Sequence, residues 1–322
     1  MRRRALRAAI PSLALAAGLA AAGPLQPAPV QAAPVRLSAA TVEAAAPVVA
    51  AAGDIACAAS DPDFHGGAGS ATRCHMKATS DLMVGAGLAA VLPLGDLQYK
   101  SATLAELRGS YDASWGRLNG LARPVPGNHE YLTAGASGYF SYFGAAAGDP
   151  AKGYYSYDVG SWHLVALNAN CPKVGGCAAG SPQESWLRAD LAAHPAACTL
   201  AYWHQPRFSS AQPAAVGATA ALWRALYAAR AEIILNAHRH NYERFAPQTP
   251  AGAASPNRGI REFVVGTGGE ELDGFTTVAP NSEVRSSTFG VLKLTLRSGS
   301  YDWRFVPEAG ETFTDAGTEA CH

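Results

Sequence analysis

The sequence predicts one α/β domain with mixed strands and with helices on the outside. Three observations lead there. From Pro47 onward, short apolar runs alternate with stretches of helical pattern. Polar side chains able to carry chemistry follow directly on those runs, where the strands of an open α/β sheet end. No repeat and no linker-like composition interrupts the chain beyond residue 46, so a single core is expected.

In chain order, the runs at 48–52, 91–94, 162–167, 198–203, 233–235 and 263–265 read as buried strands. Those at 291–296 and 301–305 read as an antiparallel pair. Helical patterns fall at about 77–90, 103–118, 182–192 and 215–230. Ser181-Pro182-Gln183-Glu184 has the form of a capping box with proline at the first helical position.

The first residues belong to a different class of segment. Arg2, Arg3, Arg4 and Arg7 precede an Ala/Leu-rich stretch at 8–22, and Val30-Gln31-Ala32 offers small residues for cleavage. That is the layout of an export signal, expected at 1–32. The stretch is interrupted by Pro11 and is short for a membrane anchor. A twin-arginine or a general secretory signal fits equally. Residues 33–46, rich in Ala, Pro and Val, read as a flexible lead-in to a domain spanning 47–322. The expected location is therefore extracellular or periplasmic, with no membrane association after cleavage.

The whole chain is formally neutral, with 25 basic and 25 acidic residues. The four arginines of 1–32, unaccompanied by acids, leave 21 basic against 25 acidic in the remainder, a net charge of −4. This balance excludes a nucleic-acid scaffold or a polybasic membrane binder. With 48% hydrophobic and 16% charged residues, the chain is also not of the disordered class. Six cysteines (Cys57, Cys74, Cys171, Cys177, Cys198, Cys321) in an exported chain read as disulfides. Cys171 and Cys177 close a short Gly-containing loop; Cys57 with Cys74 and Cys198 with Cys321 are the simplest remaining pairs, although other connectivities stay open. A cysteine-only zinc site lacks any C-x-x-C pair.

The chemistry lies in the order of the strand-end residues. Asp54 follows the first strand and Asp96-Leu97-Gln98-Tyr99 the second. Asn128-His129-Glu130 follows Arg123-Pro124-Val125, His204 ends the run from Cys198, and His238-Arg239-His240 follows the run at 233–235. Each alone is an ordinary turn, core or surface residue. Together they are ligand types for two hard-to-borderline cations, with Asp96 central enough to bridge. Gly53, Gly95 and Gly127 precede the first three groups and allow close backbone approach.

The ordered series GD, GDxxY, GNHE, a strand-terminal His and HxH resembles the calcineurin-type metallophosphoesterase superfamily, and within it the purple acid phosphatases. Ala56 stands where many superfamily members have a metal-binding His, and Tyr99 stands where purple acid phosphatases place a phenolate. Asn241-Tyr242-Glu243-Arg244 and Gly266-Thr267-Gly268-Gly269 continue the likeness, which spans roughly 47–270. The resemblance implies an α-β-β-α four-layer sandwich with mixed sheets. It implies one metal on Asp54, Asp96, Tyr99 and His240, and a second on Asp96, Asn128, His204 and His238. The first set suits Fe3+; the second suits Zn2+, Mn2+ or Fe2+. The implied activity is metal-dependent hydrolysis of a small phosphate monoester. A phosphodiesterase or nucleotidase on the same metals, and a secreted binding protein with a degenerate site, are the alternatives.

His129 is expected beside the phosphate, stabilising charge or protonating the leaving oxygen. Glu130 is expected either to orient His129 or to be an exposed turn residue. Ala56, Ala237 and Arg239 depart from the pattern, and Arg239 is expected to face solvent. Arg207 is read as a surface residue rather than a phosphate clamp. The aromatic residues at 139–143 and 154–157 are read as core and hairpin packing. His65, His75, His163, His194 and His322 lack partners at ligand spacing and read as structural or surface residues. Thr133 removes a zincin reading of His129-Glu130, and no G-x-S-x-G elbow, P-loop or G-x-G-x-x-G is present.

Overall fold

The computed structural model describes residues 45–211 and 217–322, with a few isolated positions before residue 45. Residues 45–322 form one compact unit. Nearly all of the expected signal peptide at 1–32 and of the lead-in, and the first residues of the helix expected at 215–230, lie outside the described residues.

The strands in chain order are β1 (Val48–Ala52), β2 (Ala90–Pro93), β3 (Tyr155–Val159), β4 (Trp162–Ala166), β5 (Cys198–Tyr202) and β6 (Ile233–Asn236). They continue as β7 (Tyr242–Phe245), β8 (Arg261–Val265), β9 (Ser282–Ser286), β10 (Gly290–Arg297), β11 (Ser300–Pro307) and β12 (Ala316–Ala320). The helices are α1 (Met76–Asp81), α2 (Leu104–Glu106), α3 (Ser137–Phe143), α4 (Pro182–Ala193) and α5 (Ala220–Ala228). One sheet has the order β12-β11-β10-β1-β2 and the other β3-β4-β5-β6-β8-β7-β9. Both are mixed: β1 and β2 are parallel, as are β4, β5, β6 and β8, while the remaining pairings are antiparallel.

The two-residue period of a strand explains how the layers are held. Leu164, Leu200, Leu235 and Phe263 point into a core shared with Leu92, Leu292, Leu294 and Phe305 of the first sheet. Their neighbours Val165, Ala201 and Ile234 point the other way, onto Leu187 of α4 and Leu222, Trp223 and Leu226 of α5. Strands buried on both faces read as unbroken apolar runs, and for that reason these strands were visible in the sequence.

Several boundaries differ from expectation. The helix expected at 77–90 stops at Asp81, because Gly85 and Gly87 take φ values of 72° and 68°. The stretch 103–118 is not one helix: α2 runs into a π-helical turn at Leu107–Tyr111, and a separate 3-10 segment spans Trp115–Leu121. Its start is a full capping box between Thr103 and Glu106. At α4, Ser181 accepts from the Glu184 amide, but the Glu184 carboxylate accepts from Gly180 and pairs with Arg188 instead of returning to Ser181. Residues 123–125 form no strand. Arg123 and Val125 donate to Val91 and Pro93, yet Pro124 and Pro126 break the ladder.

Three disulfides join Cys57 to Cys74, Cys171 to Cys177 and Cys198 to Cys321, the pairs expected. They fit an oxidising compartment, and among the described residues no helix is long and apolar enough to cross a membrane. Cys198–Cys321 spans 123 residues and ties the chain end to β5. Replacing both cysteines with serine is expected to cost about 2–5 kcal/mol, read from denaturant unfolding. An unchanged midpoint would show that the bond adds no stability.

Candidate metal centre

Parallel pairing of β1 with β2 sets their carboxyl ends side by side, and Asp54 and Asp96 leave those ends together. Both carboxylates are buried. Ile55 and Ala56 then donate to Asp96 and Leu97, so the two loops run on as a pair. Asp54, Asp96 and His238 take φ values of 57°, 49° and 69°. Such left-handed turns disfavour side chains with a Cβ and cluster at functional sites. Two glycines make room for the acids. A Cβ on Gly127 would lie 2.1 Å from Asp96 Oδ1, and one on Gly266 would lie 2.6 Å from Asp54 Oδ2.

The side chains meet in two halves. In the first, Tyr99 Oη donates to Asp54 Oδ1 at 2.7 Å and lies 3.0 Å from His240 Nε2, which is itself 3.3 Å from Asp54 Oδ1. In the second, His204 Nε2 lies 3.0 Å from Asp96 Oδ2 and 3.2 Å from His238 Nδ1. Asp96 Oδ2 belongs to both, being 3.3 Å from Tyr99 Oη. Asn128 lines the same cleft, its Oδ1 accepting from Gln205 Nε2 at 3.3 Å. The backbone completes the frame: His238 N–H donates to Asp54 Oδ2 and His129 N–H to Asp96 Oδ1.

Charge couples these groups. Burial alone would raise Asp54, but the positive His240 and His204 beside it hold its carboxyl well below the usual range. Asp96 is lowered too, with burial and Asp54 opposing and His204 prevailing. Against the same burial, the carboxylates push His204 and His240 up to about 9. His238 falls to about 4 through burial and its positive neighbour His204. Burial and the two acids keep the Tyr99 hydroxyl protonated well above its ordinary value.

The donor set fits metal ions. His204 Nδ1 lies 2.8 Å from the Leu94 carbonyl, which fixes its proton there in a neutral ring. Its Nε2 lone pair then faces Asp96 Oδ2 and His238 Nδ1, an arrangement that repels unless a proton or cation lies between. Metal bonds of about 2.0–2.1 Å give ligand-to-ligand edges of roughly 2.8–3.4 Å between octahedral and tetrahedral geometry, and all of these contacts except the shorter Tyr99–Asp54 hydrogen bond lie in that range. Asp96, His204 and His238 alone can offer three ligand atoms within 4.8 Å of one another.

Glu130 corrects both expectations made for it. It is fully buried rather than an exposed turn residue, and it does not reach the His129 ring. Its oxygens accept from the amides of Gly127, Asp96 and Leu97 at 2.6, 3.0 and 2.8 Å. Burial and the charge of Asp96 push it up to about 7 despite the Leu97 and Gly127 amides. His129 is instead oriented by the Lys100 carbonyl, 2.6 Å from Nδ1, leaving Nε2 at 3.9 Å from Asp96 Oδ2.

The cleft, about 350 Å³, is also lined by Arg73, Lys100, Glu270 and Glu271. The sequence carried no spacing signal for them, because Arg73 arrives through the loop closed by Cys57–Cys74 and pairs with Glu270 at 2.6 Å. Arg207 does not line the cleft; its Nε donates to Pro250. Arg239 does not line it either, and its Nε is buried rather than facing solvent. The methyl of Ala237 sits 2.5 Å from where a Cβ on Gly53 would be, so the alanine is matched by a glycine opposite. His75 pairs with Glu308 and His322 with Glu232, both away from the cleft.

No protein-family model matches the chain, and no curated protein matches it. Solved structures do. The chain has the metallophosphoesterase-type fold, as in a PhoD structure with 12% identity and a TM-score of 0.53, covering 86% of this chain and 70% of that one. The fold is also like that of a purple acid phosphatase. The purple acid phosphatase PPD1 from yellow lupin (Lupinus luteus) seeds superposes with a TM-score of 0.66 at 18% identity, covering 86% of this chain. The chain spans 54% of the length of that phosphatase. GAP50, the anchor in the inner membrane complex of Plasmodium, superposes with a TM-score of 0.57 at 12% identity over 86% of this chain and 89% of its own.

Glu130→Gln keeps the shape but places an amide NH2 against backbone N–H donors. It is expected to lose about 1–3 kcal/mol of folding stability, a loss that shrinks as pH rises toward 7, because the wild-type carboxyl is held up to about 7 in the fold and gives up its proton there at a cost. Wild-type stability in that variant would contradict the role given to Glu130.

Proposed function

We propose that this chain is an exported phosphoesterase that hydrolyses small phosphate monoesters on a pair of metal ions, in the manner of purple acid phosphatases. The observation that carries the proposal is the meeting of Tyr99, Asp54, Asp96, His204, His238 and His240 at the carboxyl ends of β1, β2, β5 and β6, with polar atoms 2.7–3.3 Å apart. Asp54, Asp96, Tyr99 and His240 hold one ion in this reading, and Asp96, Asn128, His204 and His238 the other. Tyr99 and the carboxylates are hard donors suited to Fe3+, and the imidazole-rich half suits Zn2+, Mn2+ or Fe2+. When bound, the pair supplies Lewis-acid polarisation of the phosphoryl group and an acidified water.

The chain's own residues do the rest. Asp96 spans both halves and sets their spacing. The Leu94 carbonyl keeps His204 in the tautomer that offers Nε2. His129 lines the cleft with Nε2 3.9 Å from Asp96 Oδ2, and in this reading it donates a proton to the leaving oxygen or a hydrogen bond to the phosphoryl group. Lys100 in the cleft lining brings positive charge toward an anionic ester, while Arg73 is held by Asp61, Glu270 and Glu271. A cleft of about 350 Å³ suits a compact substrate. Three disulfides and the signal-like start of the sequence support export.

Turnover of p-nitrophenyl phosphate by the purified protein is expected to exceed that of bis-p-nitrophenyl phosphate. A clear diester preference would overturn the monoester reading, and absence of both activities in metal-loaded protein would favour a binding role. Tyr99→Phe is expected to lose any visible phenolate-to-iron absorption while the fold survives; unchanged colour would remove Tyr99 from the metal. His129→Ala is expected to lower kcat by about 10²–10⁴ with metal content retained. Full activity in that variant would take His129 out of the reaction.

A further inference from the structure

A second cluster of ligand side chains stands at the opposite end of the large sheet. His163 on β4 is buried, and its Nε2 lies 2.9 Å from Asp190 Oδ2 on α4. His194, just past the end of α4, places Nδ1 3.4 Å from Asp190 Oδ1. The two imidazole rings stack at 4.7 Å. His163 pairs in register with Thr199 at the start of β5, whereas His204 follows the end of that strand. Five residues of strand put the cluster roughly 16 Å from His204.

We infer that His163, Asp190 and His194 form a binding site for a zinc-like divalent cation, distinct from the cleft at the strand ends. Two imidazoles and one carboxylate are a borderline set of the kind zinc takes. They offer ligand atoms within 4.8 Å of one another. The surroundings have the form that orients metal ligands. Asp158, directly across the β3–β4 pair, holds His163 Nδ1 at 2.8 Å and so turns Nε2 toward Asp190. Ser156 donates to Asp190 Oδ1 at 2.7 Å and fixes the carboxylate. A pocket of about 220 Å³ lined by Asp158, Ser161 and His194 opens beside the cluster and leaves room for water on the cation.

Binding is a proton-for-metal exchange. The proton shared between His163 Nε2 and Asp190 leaves to solvent and the cation takes its place; His194, whose ring lies 11° from parallel to His163, turns out of the stack, its Nδ1 proton passing through solvent to Nε2, so that Nδ1 leaves the Asp190 carbonyl for the cation. No electron moves. The result ties the β3–β4 hairpin to the end of α4.

Equilibrium dialysis of the purified protein, carrying its native metals, against a modest molar excess of Zn2+ tests this. Wild type is expected to gain one zinc per chain and a higher Tm. His194→Ala, a change at an exposed residue, is expected to lose that zinc and that shift while keeping its phosphatase activity. Asp96→Ala is expected to keep the added zinc, which separates this site from the cleft. No added zinc in wild type would show the cluster to be an ion pair alone, and equal uptake by His194→Ala would place the metal elsewhere; either result overturns the inference.

Discussion

Two buried carboxylates held side by side are the constraint on which the rest of the structure depends. Asp54 and Asp96 emerge from adjacent parallel strands, and both carboxylates are buried beside the cleft. Like charges so buried are costly unless positive charge lies among them. Protons on His204 and His240, from the loops that follow β5 and β6, meet that need where no cation does. His204 and His240 are both pushed up to about 9 by the acids they face. The arrangement that retains protons so firmly is equally one that retains cations, since both answer to the same field.

The backbone is shaped around this demand. Asp54, Asp96 and His238 adopt left-handed conformations that aim their side chains at a common point. Each such turn costs on the order of 1–3 kcal/mol, and the large buried core supplies the stability that offsets it. Gly127 and Gly266 lie against the carboxylates with no room for a side chain. Glu130 collects the amides of Gly127, Asp96 and Leu97, so one acid locks the β2 loop to the Asn128 loop. Changes at Gly127, Gly266 and Glu130 would reshape the cleft without removing any of the acids or imidazoles that meet there.

Much of this was legible in the sequence because two-sided burial leaves a plain mark. Strands such as Ile233–Asn236 are continuous apolar runs, and His204 and His238 stand out at their ends. The order of polar residues at the strand ends marks out the side chains that the fold brings together around Asp54 and Asp96. Edge strands were not legible: β12 alternates exposure along its length and has no apolar run. Nor was the role of Glu130, whose partners are backbone amides that leave no trace in residue identity. Arg73 and Glu270 were hidden for another reason, since 197 positions separate them and a disulfide-closed loop brings them together. His163 likewise read as an isolated core histidine, because its carboxylate partners lie on β3 and α4 rather than at ligand spacing along the chain.

Anomalous X-ray diffraction from crystals of the purified protein, collected across the iron and zinc edges, addresses the centre directly. Two peaks about 3.5–4 Å apart, straddling the Asp96 carboxylate with Tyr99 bound to one of them, are the predicted result. A cleft with no anomalous scatterer after metal loading, its imidazoles still paired to Asp54 and Asp96 through protons, would contradict it.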